Sequence, residues 1–198
     1  MSHLEVLETE LRRFQVRLSG KQACTLVRYC DELSRWNEKV NLTGLHGTEM
    51  VRRLVVEPVW IASQLHLSGT LVDIGSGNGS PAIPFQVVSK LSAMHLVEPR
   101  VKRAAFLRHV VSFLKLGRVT VHRARIEEIG SEVRNADWVT IQGVAVTLKL
   151  FESIKTISSI TTRVVWITSA LEPPRVPFQR ILVPFTNTEV LIFQLDLS

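Results

Sequence analysis

The sequence has few cysteines, no long apolar run and no metal-ligating pattern, and each absence excludes a class of protein. Its two cysteines, Cys24 and Cys30, lie on nearly opposite faces of one predicted helix, so we expect two reduced thiols that do not pair. No C-x-x-C occurs, and the six histidines lack metal-ligand spacing, which predicts no metal site. No apolar run reaches about 18 residues, which argues against a membrane span.

The first residues, MSHLEVLETELRRF, carry acids and no apolar core, and we do not expect them to form a signal peptide. Together with the reduced cysteines, this indicates a cytoplasmic protein that has no membrane partner, and we expect a monomer. The chain of 198 residues carries a net charge of +6. Ten basic and four acidic residues lie between Lys90 and Arg134, so this segment holds the whole excess. Such a basic segment favours a polyanionic partner.

The first third of the chain has helical periodicity, and the remainder alternates between strands and helices. Apolar residues at three- and four-residue steps predict helices over 3–18, 21–37 and 48–65. We therefore predict an N-terminal helical region over 1–68 and a second domain over 69–198, packed as one unit.

Seven short apolar runs predict the strands of that second domain. Helices between them, over 81–90, 100–115 and 145–157, indicate an α/β fold with a mostly parallel, Rossmann-like sheet wrapped on both faces. The last two runs, joined by 185–188, predict an antiparallel hairpin at one edge. The predicted strands are 70–74, 93–98, 118–122, 138–142, 163–168, 179–184 and 189–195.

A glycine-rich turn, LVDIGSGNGSPAIPF, follows the first predicted strand, where α/β sheets bind ligands. Its pattern is G-x-G-x-G, whereas the dinucleotide fingerprint is G-x-G-x-x-G, with Ser80 at the third glycine's position. Asp73 would repel a diphosphate but suit an ammonium group. Glu98, at the end of the second strand, can accept hydrogen bonds from both ribose hydroxyls. These features favour S-adenosylmethionine over NAD, and the predicted cofactor contacts are Asp73, Gly75, Gly77, Gly79, Ser80 and Glu98.

Four stretches of the sequence stand out: Leu33–Thr43 (LSRWNEKVNLT), the glycine turn with Pro81–Pro84, Glu98 with Lys102–Arg108, and Ala124–Glu128. Together they resemble the small-subunit ribosomal RNA methyltransferase G family, also called glucose-inhibited division protein B. The resemblance runs from about residue 21 to residue 145 and implies a class I methyltransferase fold with S-adenosylmethionine as cofactor. It also implies methylation of N7 of a guanine in 16S rRNA, on naked RNA or on the small ribosomal subunit.

The resemblance also assigns roles to residues of this chain. Gly75 and Ser80 match glycine-loop contacts, while Ile126 and Glu127 match a pair that lies beside the adenine. Guanine N7 has a free lone pair, so the reaction needs no general base, and the sequence offers no convincing one. Phosphate contacts would come from the basic segment. The candidates for RNA binding are Arg100, Lys102, Arg103, Arg123 and Arg125.

Three substrate-side positions depart from the family pattern. Where the family has Ser-Arg-Ala after the fourth strand, this chain has Ile141-Gln142-Gly143, which makes Gln142 the candidate catalytic residue and a further cofactor contact. Leu54, Glu57 and Pro58 replace a histidine and an Asp-Ser pair in the third helix, and Thr168-Ser169 replaces Lys-Gly. The Glu172–Arg175 stretch (EPPR) lacks the aromatic residue of adenine-N6 enzymes and is interpreted as a rigid loop.

Two alternatives remain open on the sequence. The first is an S-adenosylmethionine-binding relative whose activity is lost or retargeted, as the substituted Gln142 suggests. The second is an NAD-dependent oxidoreductase that uses the same glycine turn.

Overall fold

A computed structural model describes residues 1–130, 132–169 and 176–197, so the predicted loop at 172–175 lies outside the described residues. The chain forms a seven-stranded sheet in the order β3-β2-β1-β4-β5-β7-β6, with helices before and between the strands. Every pairing among β1 to β5 is parallel, while β7 pairs antiparallel with both β5 and β6. The predicted fold class and the terminal hairpin are therefore confirmed. No helix in the described ranges is both long and apolar enough to cross a bilayer.

The strands match the predicted runs, with ends that shift by a few residues. The largest shift is in β5, which begins five residues before the predicted start. The strands are β1 (Ser68–Ile74), β2 (Lys90–Val97), β3 (Val119–His122), β4 (Ala136–Gln142), β5 (Ser158–Thr168), β6 (Phe178–Leu182) and β7 (Glu189–Phe193). The helices are α1 (His3–Arg13), α2 (Gly20–Val40), α3 (Gly47–Val51), α4 (Glu57–Leu65), α5 (Ala82–Val88), α6 (Val101–Phe113) and α7 (Leu148–Ile157), with a 3₁₀ turn at Ile126–Glu128.

The first helix is shorter than its apolar pattern predicts, because a Schellman motif ends it. Gln15 adopts the left-handed conformation, with φ of 56°. The N–H of Val16 donates to the Leu11 carbonyl, and that of Gln15 donates to Arg12. Leu18 of the predicted stripe therefore lies beyond the helix.

The predicted third helix is interrupted by a π-helical turn at Arg52–Val56. The N–H of Glu57 donates to the carbonyl of Arg52, five residues back. Pro58 follows and has no N–H for the carbonyl of Leu54, so the regular α-helical ladder cannot run through this point. The result is α3, one wide turn, and then α4.

The Trp-Asn…Asn-Leu-Thr stretch of the family resemblance has a structural role in the loop after α2. The Asn37 side chain accepts hydrogen bonds from the N–H groups of Leu42 and Thr43, at 2.6 and 2.9 Å, and donates to the Thr43 carbonyl. Asn41 ends α2 in the left-handed conformation. Together these two asparagines reverse the chain toward α3.

Alternate residues of each strand pack on opposite faces of the sheet, and the two faces are covered unequally. Leu71 joins an apolar cluster with residues of α1 to α6, whereas Val72 joins a second cluster with α7 and the 3₁₀ turn. The first cluster runs without a break from the N-terminal helices into β1 and β2. The boundary at residue 68 between two domains stays a prediction.

The apolar pattern of α6 predicts that Val101, Ala105, Val110 and Leu114 pack inward. Val110 and Leu114 are buried as predicted, but the prediction is wrong for Val101, which is 62% exposed, and for Ala105, which is exposed too. The buried residues are Ala104, Phe106, Leu107 and Val110. Phe106, Leu107 and Val110 pack in the same apolar cluster as Leu26 and Tyr29 of α2.

Candidate functional site

A cavity of about 750 Å³ lies beyond the carboxyl ends of β1, β2 and β4. In the strand order, β1 has β2 on one side and β4 on the other, so the connections diverge there and leave a crevice. Seven of the residues singled out from the sequence line this cavity. They are Gly75, Glu98, Arg100, Arg103, Arg125, Ile126 and Glu127.

Glu98 follows β2 and is held rigidly at the cavity wall. One carboxylate oxygen accepts the N–H of Gly77 at 3.0 Å, and the other accepts the N–H of Arg100 at 2.8 Å. Its side chain is almost fully buried. A carboxylate has about four acceptor positions, so two remain after these bonds. The oriented carboxylate can therefore still receive two hydroxyl groups from the cavity.

Asp73 lies on β1 directly opposite Thr140 of β4. The Thr140 hydroxyl donates to one oxygen of the Asp73 carboxylate, while the other oxygen is buried without a hydrogen-bond partner. Burial raises the pKa of Asp73 to about 6, and the nearby Glu98 acts in the same direction. A cation that reached the unpartnered oxygen would relieve both the missing hydrogen bond and the charge repulsion.

The three glycines of the loop serve different purposes. Gly75 has φ of +74°, and a Cβ there would lie 2.3 Å from the Cγ2 of Val144. A side chain at position 75 would therefore collide with the protein's own Val144, whether or not a ligand is bound. Gly77, with φ of +51°, presents its N–H to Glu98. Gly79, with φ of +92°, is buried against Ile83. Of the three, only Gly75 lines the cavity, and Gly79 faces the core.

Ser80 and Gln142 were also predicted to contact the cofactor, and neither lines the cavity. Each nevertheless has a buried side-chain oxygen with no hydrogen-bond partner: Ser80 Oγ and Gln142 Oε1. Ser80 is held by its N–H, which donates to the Asn78 side chain at 3.0 Å. Gln142 is the last residue of β4 and precedes the cavity wall at Gly143.

The mouth of the cavity is charged. Glu127 lies there with its carboxylate 3.5 Å from the Lys149 ammonium of α7, and Ile126 beside it is buried. Arg100 and Arg125 are exposed at the rim and Arg103 is partly buried. Lys102 and Arg123 are exposed outside the cavity lining. The basic residues thus surround the opening on the side of β2, β3 and α6.

Several supporting residues were missed by the sequence reasoning. Thr140 could have been found, because it is a lone hydroxyl within the apolar run of β4 at the register of Asp73. The Tyr29 hydroxyl donates to the Asn78 carbonyl at 2.8 Å and braces the glycine loop from α2. Neither this contact nor that of Val144 with Gly75 has a local sequence signal, since both depend on tertiary packing.

The donor and acceptor groups of the cavity suit an adenosyl amino acid. Glu98 offers acceptors for ribose hydroxyls and Ile126 offers an apolar wall. Asp73 does not line the cavity, but its neighbours Ile74 and Gly75 do, and its unpartnered oxygen is a buried acceptor beside that wall. These groups do not suit a diphosphate, because the acids at the ends of β1 and β2 would repel it.

Several curated proteins with similar sequences carry the same name. The chain is 36% identical over 154 residues to the ribosomal RNA small subunit methyltransferase G of Roseiflexus sp. (strain RS-1), covering 75% of this chain and 66% of that protein. It is 37% identical over 135 residues to the protein of the same name from Chloroflexus aggregans, covering 66% of this chain and 57% of the relative. The chain therefore spans about three fifths of the length of these relatives.

Solved structures share the fold at low sequence identity. A methyltransferase from Geobacter sulfurreducens superposes with a TM-score of 0.59 at 14% identity, over 85% of this chain and 89% of that one. Precorrin-6Y C5,15-methyltransferase from Geobacter metallireducens gives 0.55 at 17% identity, over 76% and 89%. These likenesses concern the fold alone. The model of the rRNA small subunit methyltransferase G family matches residues 22–171, most of the chain, and the protein belongs to that family.

Proposed function

We propose that this protein is an S-adenosylmethionine-dependent methyltransferase that methylates N7 of a guanine in 16S rRNA. The observation that carries the proposal is Glu98, whose two oxygens are fixed by backbone N–H groups at the wall of the cavity beside the glycine loop. Family membership supplies the reaction class. It leaves the NAD-dependent alternative without support.

The proposed binding mode follows from the acceptors in place. Glu98 orients the ribose, Ile126 packs beside the adenine, and Asp73 attracts the ammonium group. Gly75, Gly77, Gly79 and Ser80 shape the loop that closes over the amino-acid part. S-adenosylmethionine, when bound, supplies a methyl group on a sulfonium.

In the chemical step, the main task of the protein is to position the two reactants. The N7 lone pair of guanine attacks the methyl carbon while the carbon–sulfur bond breaks, so no proton has to leave first. The product purine is cationic, and S-adenosylhomocysteine departs. The chain must hold the two reactants in line and exclude water, which is a large contribution in itself. Gln142, at the end of β4, is the proposed residue nearest the reacting groups.

The basic rim supports RNA as the partner. We propose that Arg100, Lys102, Arg103, Arg123 and Arg125 contact phosphates, because they surround or adjoin the opening of the cavity. We further propose that the protein acts as a monomer in the cytoplasm, on rRNA or on the small ribosomal subunit.

Transfer of tritium from labelled S-adenosylmethionine tests this function. Small-subunit RNA from a strain lacking the gene is offered both naked and as intact subunits, and we expect label at N7 of one guanine. RNA from the parent strain, already methylated, is the matched control and should take up little. No transfer to either substrate would reject the proposal.

A second candidate is a relative that binds S-adenosylmethionine but has lost or retargeted the transfer. Gln142 favours it, because its carbonyl oxygen is buried without a partner where the family pattern has arginine. If activity has been lost through this position, Gln142→Arg should raise transfer by at least tenfold without changing cofactor affinity. Equal transfer by both proteins would count against this candidate.

A further inference from the structure

A second, smaller hollow of about 300 Å³ lies on the other side of β4, beyond the carboxyl end of β5. Its walls come from three places: the π-helical turn with the start of α4, the residue after β5, and the loop between β6 and β7. The lining residues are Arg52, Arg53, Glu57, Ser169, Phe185 and Thr186–Thr188. The carboxyl end of β4, which carries Gln142, therefore stands between this hollow and the cofactor cavity.

Two charged side chains in the hollow have unused hydrogen-bonding capacity. Glu57 is only 4% exposed, and within residues 1–130, 132–169 and 176–197 its Oε1 has no hydrogen-bond partner. The Nε–H of Arg52 is buried and likewise makes no hydrogen bond in those ranges; it forms an ion pair with that oxygen at 3.8 Å, too far for a hydrogen bond. The other Glu57 oxygen accepts a long bond of 3.4 Å from the Thr188 hydroxyl.

Leaving such atoms without a hydrogen bond costs about 1–3 kcal/mol each, and more for charged groups. A donor and an acceptor that face one small space suit a ligand that offers the reverse pair. The Watson–Crick edge of guanine presents two adjacent donors, N1–H and the N2 amine, beside the O6 acceptor. Adenine presents an acceptor at N1 and would meet the carboxylate with a lone pair.

We propose that this hollow receives the target guanine, with Glu57 accepting from N1–H and the N2 amine and Arg52 donating to O6. The inference rests on the proposed function and specifies how its substrate is selected. A base held by its Watson–Crick edge has its N7 on another edge, away from Glu57, as methyl transfer to N7 requires. Enzymes that act on single bases commonly read this edge in a pocket and stack the ring on an aromatic side chain. Phe185 is 61% exposed at the hollow, with the Arg13 guanidinium over its ring at 4.6 Å, and the base would stack on the opposite ring face.

Nucleotide binding tests the proposal without requiring methyl transfer. Titration calorimetry with S-adenosylhomocysteine bound compares three probes: guanosine, inosine and adenosine monophosphates. We expect inosine monophosphate, which lacks the N2 amine, to bind about tenfold more weakly than the guanosine form, and adenosine monophosphate more weakly still. Equal affinities for the three, or no binding of any at 10 mM (about the upper limit of the method), would overturn the proposal.

Variants separate the role of Glu57 from general damage. Glu57→Gln replaces one acceptor oxygen with an amine, so the preference for the guanosine over the inosine form should vanish, and kcat/KM for RNA should fall about a hundredfold. Arg52→Lys keeps the charge but loses the Nε–H, and should weaken guanosine monophosphate binding by about tenfold. Glu49→Gln is the matched control, since Glu49 is exposed on α3, does not line the hollow and pairs with Arg53 at 3.8 Å.

The outcomes distinguish this inference from the function beneath it. Selective binding of guanosine monophosphate without any methyl transfer would support guanine binding in the hollow and reject the proposed methyltransferase activity. If methyl transfer is equally fast in Glu57→Gln and Glu49→Gln, the methyltransferase activity stands and guanine binding in the hollow is rejected. S-adenosylhomocysteine binding by each variant shows that it has folded, and should Glu57→Gln fail that test, Arg52→Lys and the three-nucleotide comparison still decide.

Discussion

The carboxylate of Glu98 accepts the backbone N–H of Gly77 at 3.0 Å, so a residue after β2 fixes the loop that follows β1. This bond ties the ribose-binding acceptor to the glycine loop in a single rigid unit. Loop and acceptor therefore cannot move independently, which lowers the conformational cost of binding a ligand that contacts both.

Replacing Glu98 tests that unit. Glu98→Ala leaves the N–H groups of Gly77 and Arg100 without their acceptor, and we expect a loss of stability of about 1–3 kcal/mol. S-adenosylmethionine affinity should fall at least tenfold, measured by calorimetry beside thermal unfolding. Glu127→Ala is the comparison for the loss of an acid at the cavity mouth, and should leave stability almost unchanged. Equal effects of the two changes on stability would contradict the bracing role.

The protonation of Asp73 should control cofactor affinity. Its folded pKa of about 6 lies above its usual 3.8, so in the free protein the acid is half protonated near pH 6. An ammonium group binds the ionised form, and we expect affinity to fall about tenfold per unit as the pH drops below 6. In Asp73→Asn the affinity should be lower and nearly flat between pH 5 and 7. A wild-type profile as flat as that of the variant would disprove the contact.

The same pKa shift predicts how stability depends on pH in the absence of ligand. Because the folded pKa is raised, the folded state binds more protons than the unfolded state between about pH 4 and pH 6. The contribution of Asp73 is thus fully present below pH 4 and is lost as the pH rises through 6, by about 3 kcal/mol. Asp73→Asn should remove this decline in denaturant unfolding measured across that range.

Gly75 and Val144 should be coupled energetically. Gly75→Ala places a methyl group 2.3 Å from the Val144 side chain at a φ of +74°, and we expect destabilisation of about 2–3 kcal/mol. Val144→Ala removes the clash but not the backbone strain, so the double variant should recover all but about 1 kcal/mol. A double-mutant cycle by urea unfolding measures the coupling, and strictly additive losses would refute it.

Truncation tests the proposed division at residue 68. The apolar cluster that joins α1 to α4 with β1 and β2 would lose its cover if residues 1–68 were removed. Phe85, Phe106 and Leu107 are fully buried in that cluster, and the truncation would remove part of the apolar surface that packs around them. We expect a 69–198 fragment to lack cooperative unfolding by calorimetry. A fragment that unfolds in one sharp transition would show that the two regions fold independently.

The sequence predicts the sheet and its ligand-binding end well, because those signals are local. Strand runs, the glycine turn, and the acids Asp73 and Glu98 all lie within a few residues of the strand ends that they mark. Features that depend on distant packing are different. Two contacts join segments far apart in the chain: that of Val144 with Gly75 and the hydrogen bond from Tyr29 to Asn78. The exposure of Val101 likewise depends on how α6 packs against the rest of the fold. No local pattern encodes such pairs.

The hollow beside β5 illustrates the same limit for a candidate site. Glu57 and Thr188 lie 131 residues apart, and only the fold brings them together. The sequence marks Glu57 as a departure from the family pattern, yet its burial and its unpartnered oxygen are visible only in three dimensions.

The π-helical turn at Arg52–Val56 is equivalent to one extra residue in a helix of constant direction. Deleting one residue here would close the wide turn into a regular α-helical one, so the residues on either side of the deletion would keep nearly the same directions. Arg52 and Glu57 would then lie four positions apart instead of five and would still share one face of the helix. The pair therefore depends on its two side chains and not on the extra residue, and a descendant of this protein could lose the π turn by a one-codon deletion and keep the pair.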